Sequence, residues 1–84
     1  MELPQAIGTV RDILRSDYPL LAEVPLDAST PLLSAGRLDS FALVTLIATL
    51  EETFEIEIDV DEIDIDQFET IEQIARLCLS SDPG

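Results

Sequence analysis

Few side chains in this sequence could carry out chemistry by themselves. Histidine is absent, and Cys78 is the only cysteine. Without histidine the chain cannot form a Ser-His-Asp or Cys-His arrangement. A single cysteine allows neither an internal disulfide nor a cysteine-based zinc site. We interpret Cys78 as a small buried hydrophobic residue, since a reactive thiol needs a basic partner to lower its pKa. We expect no catalytic residues and no enzymatic activity.

Acidic residues dominate the charge of the chain. The net charge is −14, from 18 acidic residues against four arginines, and no basic residue lies between Asp39 and Glu72. Either a solvated face or electrostatic steering toward basic partner enzymes explains this run. Nucleic acid and anionic membranes would repel the chain, so we expect neither as a partner. Asp59–Asp66 lacks the glycine of a calcium-binding loop, and we expect no metal site.

The helical periodicity of apolar residues predicts three main helices, over residues 4–16, 40–54 and 70–80. Thr70 and Gln73 match a capping box at the start of the third. A short helical turn is expected over Asp61–Asp66, and an extended connector with Ile56 and Ile58 turned inward. The long loop before Ser40 should be pinned to the core by four leucines: Leu20, Leu26, Leu32 and Leu33.

These elements predict an all-α fold, a small four-helix bundle of three main helices and one short helix with a long first loop. We expect one domain over residues 1–84, ordered from about 3 to 80, with a frayed tail at 81–84. No stretch has the pattern of a signal peptide or of a membrane span. We therefore expect a cytoplasmic monomer that does not insert into membranes.

The second predicted helix has two apolar stripes. At about 100° per residue, one stripe spans roughly 100° of the helix surface and is expected to face the core; it contains Leu43, Leu46, Ile47, Leu50 and Phe54. Phe41, Val44 and Ala48 form a second stripe on nearly the opposite side. This second stripe either packs against the first loop or docks a partner protein. We expect Val44 mainly to dock a partner and Phe41 to share both roles.

Ser40 stands at the predicted start of this helix. Asp39 and Ser40 by themselves are a common pair of helix caps. The stretch from Leu32 to Phe41, however, is followed by Leu50-Glu51-Glu52-Thr53-Phe54 and later by Phe68-Glu69-Thr70-Ile71. This combination resembles the phosphopantetheine-binding acyl and peptidyl carrier family over nearly the whole chain. Gly36-Arg37-Leu38-Asp39-Ser40-Phe41 and the residues from Ile63 to Phe68 look closest to stand-alone D-alanyl carrier proteins.

The resemblance implies that Ser40 receives 4′-phosphopantetheine from coenzyme A and carries cargo on it as a thioester. Asp39 either caps the helix or helps the transferase bind its metal and coenzyme. The implied partners are a phosphopantetheinyl transferase, an adenylating or acyl-loading enzyme, and a downstream acyl-transfer or condensing enzyme. We expect the docking residues to be Phe41, Val44, Ala48, Glu51 and Glu52.

One departure from the family affects which partners are expected. Fatty-acid carriers commonly place acidic residues two and five positions after the serine, where this chain has Ala42 and Thr45. A more apolar docking face favours a dedicated loading enzyme with an apolar groove, as in secondary metabolite biosynthesis or D-alanylation. The alternative is a carrier-like acidic protein-interaction module without phosphopantetheine.

Overall fold

Three α-helices form the structure, which is a computed structural model. It describes residues 2–21, 25–36, 38–59, 61 and 64–80, without the side chains of Leu20 and Ser40. Helix α1 is Leu3–Asp17, α2 is Ser40–Phe54 and α3 is Ile71–Ser80. Short 3₁₀ turns occupy Pro19–Leu21 and Ile65–Phe68. None of the described residues forms a β-strand, so the expected all-α fold is confirmed.

Helix α1 begins close to the predicted position because its first turn is well capped. Pro4 lies in that turn, where its missing N–H costs no hydrogen bond. The side chain of Gln5 accepts a hydrogen bond from the Glu2 amide at 3.1 Å. One face of the helix is fully buried through Ala6, Val10 and Leu14.

Helix α2 has the bounds that periodicity predicts. Leu43, Leu46, Ile47 and Leu50 are all buried and Phe54 is partly buried against them, which confirms the predicted core stripe. The helix ends at Glu55, which takes a left-handed conformation with φ 55° and ψ 50°.

Helix α3 starts with the predicted capping box. The Gln73 amide donates to the Thr70 hydroxyl and the Gln73 side chain accepts from the Thr70 amide, both at 3.2 Å. Ile71, Ile74 and Cys78 are buried, and the helix packs chiefly against α1. The α1–α3 pair is therefore the main scaffold of the bundle.

The described connections contribute several of the predicted apolar side chains to the core. Leu26 and Leu32 are buried and Leu33 is packed against the core, while the side chain of Leu20 lies outside the described part. Ile56 and Ile58 are 8% and 7% exposed, so both turn inward as expected.

The predicted turn over Asp61–Asp66 is wrong in position. The observed turn is Ile65–Phe68. The Asp64 amide donates to the Gln67 side chain at 2.9 Å, which caps the turn at its start, and Phe68 at its end is fully buried. Burial of this large aromatic side chain decides where the chain turns. Residues 60, 62 and 63 and the expected tail at 81–84 lie outside the described residues.

Candidate functional site

Ser40 is the first residue of α2, and Asp39 caps the helix before it. A side-chain oxygen of Asp39 accepts a hydrogen bond from the Ala42 amide at 2.8 Å. The Asp39 carbonyl accepts another from the Leu43 amide at 2.9 Å. The capping role predicted for Asp39 is therefore present, and its carboxylate remains exposed to solvent.

The loop leading to Ser40 is closed by its own backbone. The Leu38 amide donates to the Leu32 carbonyl at 3.2 Å, and the Gly36 amide donates to the Leu33 carbonyl at 3.0 Å. Gly36 has φ 73°, a conformation that glycine adopts without steric cost. Leu38, the last residue before the Asp39 cap, is 4% exposed and packs in the core. Arg37 lies outside the described residues.

Glu69, which lies 35–37 residues further along the chain, holds this loop by hydrogen bonds. One oxygen of its carboxylate, Oε1, accepts hydrogen bonds from the Leu32 amide at 2.9 Å and from the Ser34 amide and hydroxyl at 3.1 Å. The Ser34 amide first, with the Ser34 hydroxyl and the loop amides, holds the pKa of Glu69 below its ordinary value of 4.5. The carboxylate is the form that the loop binds.

Tyr18 binds the first turn of α2, after Ser40. Its hydroxyl donates to the Ala42 carbonyl at 2.7 Å and so joins the end of α1 to the first turn of α2. Partial burial, with the charges of Asp17 and Asp39, raises the pKa of Tyr18 above 10.0. The phenol therefore stays a hydrogen-bond donor at neutral pH.

Sequence patterns predicted a role for neither Tyr18 nor Glu69. Their partners lie 24 and 35–37 residues away along the chain. The only nearby sequence feature that could have drawn attention to Glu69 was its position immediately before the capping box at Thr70.

The second apolar stripe of α2 is open to solvent. Phe41 is 88% exposed, Val44 is 68% exposed and Ala48 is exposed as well. The prediction that Phe41 also packs against the first loop is wrong. The loop instead satisfies its packing and hydrogen bonds through Leu32, Leu38 and Glu69, which leaves the stripe uncovered.

The two glutamates predicted to dock partners differ in their surroundings. Glu51 accepts a hydrogen bond from the Ile58 amide at 3.0 Å, so it holds the connector after α2. Glu52 is exposed on the helix surface. Within the described residues, these contacts give Glu51 a structural role and leave Glu52 with its side chain in solvent.

A comparison with protein families decides what this arrangement is. The family described as a phosphopantetheine attachment site matches residues 8–78. The chain belongs to this phosphopantetheine attachment family. A search of curated proteins finds no match.

As a member of the phosphopantetheine attachment family, the protein is a carrier that holds 4′-phosphopantetheine covalently. Such domains bear cargo and are not catalysts, and they interact with a phosphopantetheinyl transferase and acyl-handling enzymes. The residues at the start of α2 fit the group, because Asp39 and Phe41 on either side of Ser40 are exposed and the helix N-terminus favours a phosphodiester anion.

Cys78 and the acidic residues were the other candidates for a reactive or metal-binding site. Burial raises the pKa of the Cys78 thiol to about 12, so this residue behaves as the small hydrophobe that was predicted. Among residues 2–21, 25–36, 38–59, 61 and 64–80, no acidic or cysteine cluster could hold a metal ion. No helix in that same part of the chain combines the length and the hydrophobicity needed to cross a membrane.

Proposed function

We propose that Ser40 is the attachment residue and that the protein presents an acyl or aminoacyl group on the resulting arm to partner enzymes. The observation that carries the proposal is the position of Ser40 as the first residue of α2, flanked by exposed residues, within a chain of the phosphopantetheine attachment family. Asp39 caps the helix there, and its exposed carboxylate is available to a transferase-bound metal.

The proposed modification is a phosphoryl transfer to the Ser40 hydroxyl. The serine oxygen bonds to the phosphorus that carries the pantetheine of coenzyme A. The pyrophosphate bond to the adenosine bisphosphate breaks, and the serine proton passes to a base on the transferase. When bound, the group supplies a thiol that holds cargo as a thioester. The chain itself supplies the nucleophilic hydroxyl, its position and the surface that partners approach.

The test is intact mass after incubation with coenzyme A and a broad-specificity transferase. Wild type should gain one phosphopantetheinyl group, and Ser40→Ala should gain none while remaining folded. Ser16→Ala is the matched control, because Ser16 is an exposed serine on α1. Modification of Ser40→Ala would refute the assignment. A wild type that takes no group would favour the alternative, an acidic interaction module.

We further propose that Phe41, Val44 and Ala48 dock the enzyme that loads the carrier, with Glu51 and Glu52 at the edge of the same surface. The described loop packs against the core and leaves the stripe exposed. Exposure of adjacent apolar side chains to water is unfavourable and is typical of a surface that binds a partner. An adenylating enzyme with an apolar groove bordered by basic residues complements both the stripe and the surrounding acids.

The proposed cargo is an acyl group, an amino acid or D-alanine, as in carriers loaded by adenylating enzymes. This proposal rests on the likeness of Gly36-Arg37-Leu38-Asp39-Ser40-Phe41 to D-alanyl carriers and on Ala42 and Thr45, which replace the acidic pair of fatty-acid carriers. D-alanylation and secondary metabolite biosynthesis are the two pathways proposed. Loading assays with purified adenylating enzymes and a panel of carboxylic and amino acids would distinguish them.

A further inference from the structure

We propose that Glu69 is a positioning residue for the modification of Ser40. Glu69 does not touch the serine; it holds the loop from which α2 begins. The inference rests on the proposed attachment at Ser40. It means that Glu69, which contacts the loop and not the serine, affects the rate of the transfer.

The contacts of Glu69 are concentrated on one short segment. Its carboxylate Oε1 takes three hydrogen bonds from Leu32 and Ser34 at 2.9–3.1 Å. The same Leu32 amide also donates to the backbone carbonyl of Glu69 at 2.7 Å, so one N–H is shared between two acceptors of this residue. Hydrogen bonds to an ionised group are about twice as strong as neutral ones. Glu69 therefore restrains both Leu32 and Ser34.

Glu69 is itself fixed to the core. The residue before it, Phe68, is fully buried, and Ile71 two positions after it is fully buried as well. The Glu69 amide donates to the Asp66 carbonyl at 3.2 Å. The backbone of Glu69 is thus fixed to the bundle, and its carboxylate reaches the loop from this fixed point.

The restraint reaches Ser40 through one further hydrogen bond. The carbonyl of Leu32 accepts from the Leu38 amide at 3.2 Å, and Leu38 is followed directly by the Asp39 cap and Ser40. A shift of Leu32 would move Leu38 and with it the first turn of α2. Group transfer requires the reacting atoms to lie about 3–3.5 Å apart and in line. A small displacement of the serine would therefore slow the reaction.

A merely stabilising role for Glu69 predicts a different result. Partial unfolding lowers the concentration of competent carrier, so it raises the apparent KM of the transferase and leaves kcat unchanged. Misplacement of the serine within the enzyme–carrier complex lowers kcat. Steady-state kinetics with the carrier as the varied substrate separate these two effects.

The experiment compares the transferase kinetics of wild type, Glu69→Ala, Glu69→Gln and Ser34→Ala. Glu69→Ala should lower kcat about tenfold. Glu69→Gln keeps an oxygen at the accepting position, so its kcat should lie within about threefold of wild type. Ser34→Ala removes one of the three bonds and should lower kcat about threefold. Glu57→Ala, which removes an exposed acid from the connector, is the charge-matched control and should retain wild-type kcat.

The proposed function and this inference fail separately. If wild type is not modified at Ser40, the proposed function falls first. If wild type is modified at Ser40 and Glu69→Ala keeps its kcat, only the role of Glu69 is refuted, even if KM rises. An equal fall in kcat for Glu57→Ala would also refute it, as a charge effect. Should Glu69→Ala not fold, wild-type kcat in Ser34→Ala would overturn the inference.

Discussion

At the residue scale, two side chains hold the chain before and after Ser40. Glu69 binds the loop before Ser40, and Tyr18 binds the first turn after it. Neither role could be predicted from the sequence, because periodicity and capping rules describe residues three or four positions apart. Asp39 could be predicted as a cap, since its partner Ala42 is three residues away.

Tyr18→Phe tests the support from α1. Losing one hydrogen bond should lower the free energy of unfolding by about 1 kcal/mol. The fold favours the neutral phenol, so this contribution is intact below pH 10.0 and disappears as the pH rises through the raised pKa of Tyr18. Chemical denaturation of both proteins from pH 7 to pH 11 measures the difference. A gap that stays constant above pH 10 would show that lost packing, rather than the hydroxyl, causes it.

Glu55 is the one described non-glycine residue with positive φ, 55°, and it ends α2. A side chain in this conformation costs about 1–2 kcal/mol, which glycine avoids at some cost in unfolded-state entropy. Glu55→Gly should therefore raise the free energy of unfolding by about 0.5–1 kcal/mol. Glu55→Gln removes the same charge but keeps the side chain. An equal gain in the glutamine variant would attribute the effect to charge repulsion instead.

At the element scale, one apolar stripe of α2 packs in the core and the other faces solvent. The period of its apolar residues predicted both stripes, because each depends only on spacing within the helix. Which stripe the loop would cover depends on the path of the loop, which contacts far from α2 determine. That is why the packing role expected for Phe41 is wrong although the helix was predicted at its observed bounds.

Val44→Asp tests the exposed stripe. Since Val44 is 68% exposed, stability should change by no more than about 0.5 kcal/mol. Loading by the cognate adenylating enzyme should lose about 2 kcal/mol of binding free energy, roughly a thirtyfold fall in kcat/KM. Thr53→Asp adds the same charge at an exposed position of α2 outside the proposed docking residues and is the matched control. Equal losses in the two variants, or no loss in Val44→Asp, would contradict docking on this stripe.

At the scale of the whole molecule, most of the negative charge of the chain is not compensated by ion pairs among the described residues. Against a net charge of −14, one ion pair, Arg76–Glu72 at 3.2 Å, joins the side chains of the described residues. Exposed pairs of this kind contribute little to stability. The balance of charge was fully predictable from the sequence, whereas the position of the turn at Ile65–Phe68 depended on burial of Phe68.

The melting temperature should rise as salt is added from low to moderate concentration. Screening weakens repulsion between the acidic residues more than it weakens the buried contacts of the core. Differential scanning calorimetry of the apo carrier in sodium chloride measures the shift. A melting temperature that stays flat or falls would mean that the carboxylates are already well separated or paired.

The attachment of phosphopantetheine to Ser40 connects these scales, since it uses the helix start, the exposed stripe and the acidic surface together. The most direct measurement is fragment-ion sequencing of the wild-type chain after conversion with coenzyme A and transferase. The sequence contains six serines, so the fragments can discriminate between them. Attachment at Ser40 predicts that the whole added mass lies on that residue. Added mass on any other residue, or no added mass, would contradict it.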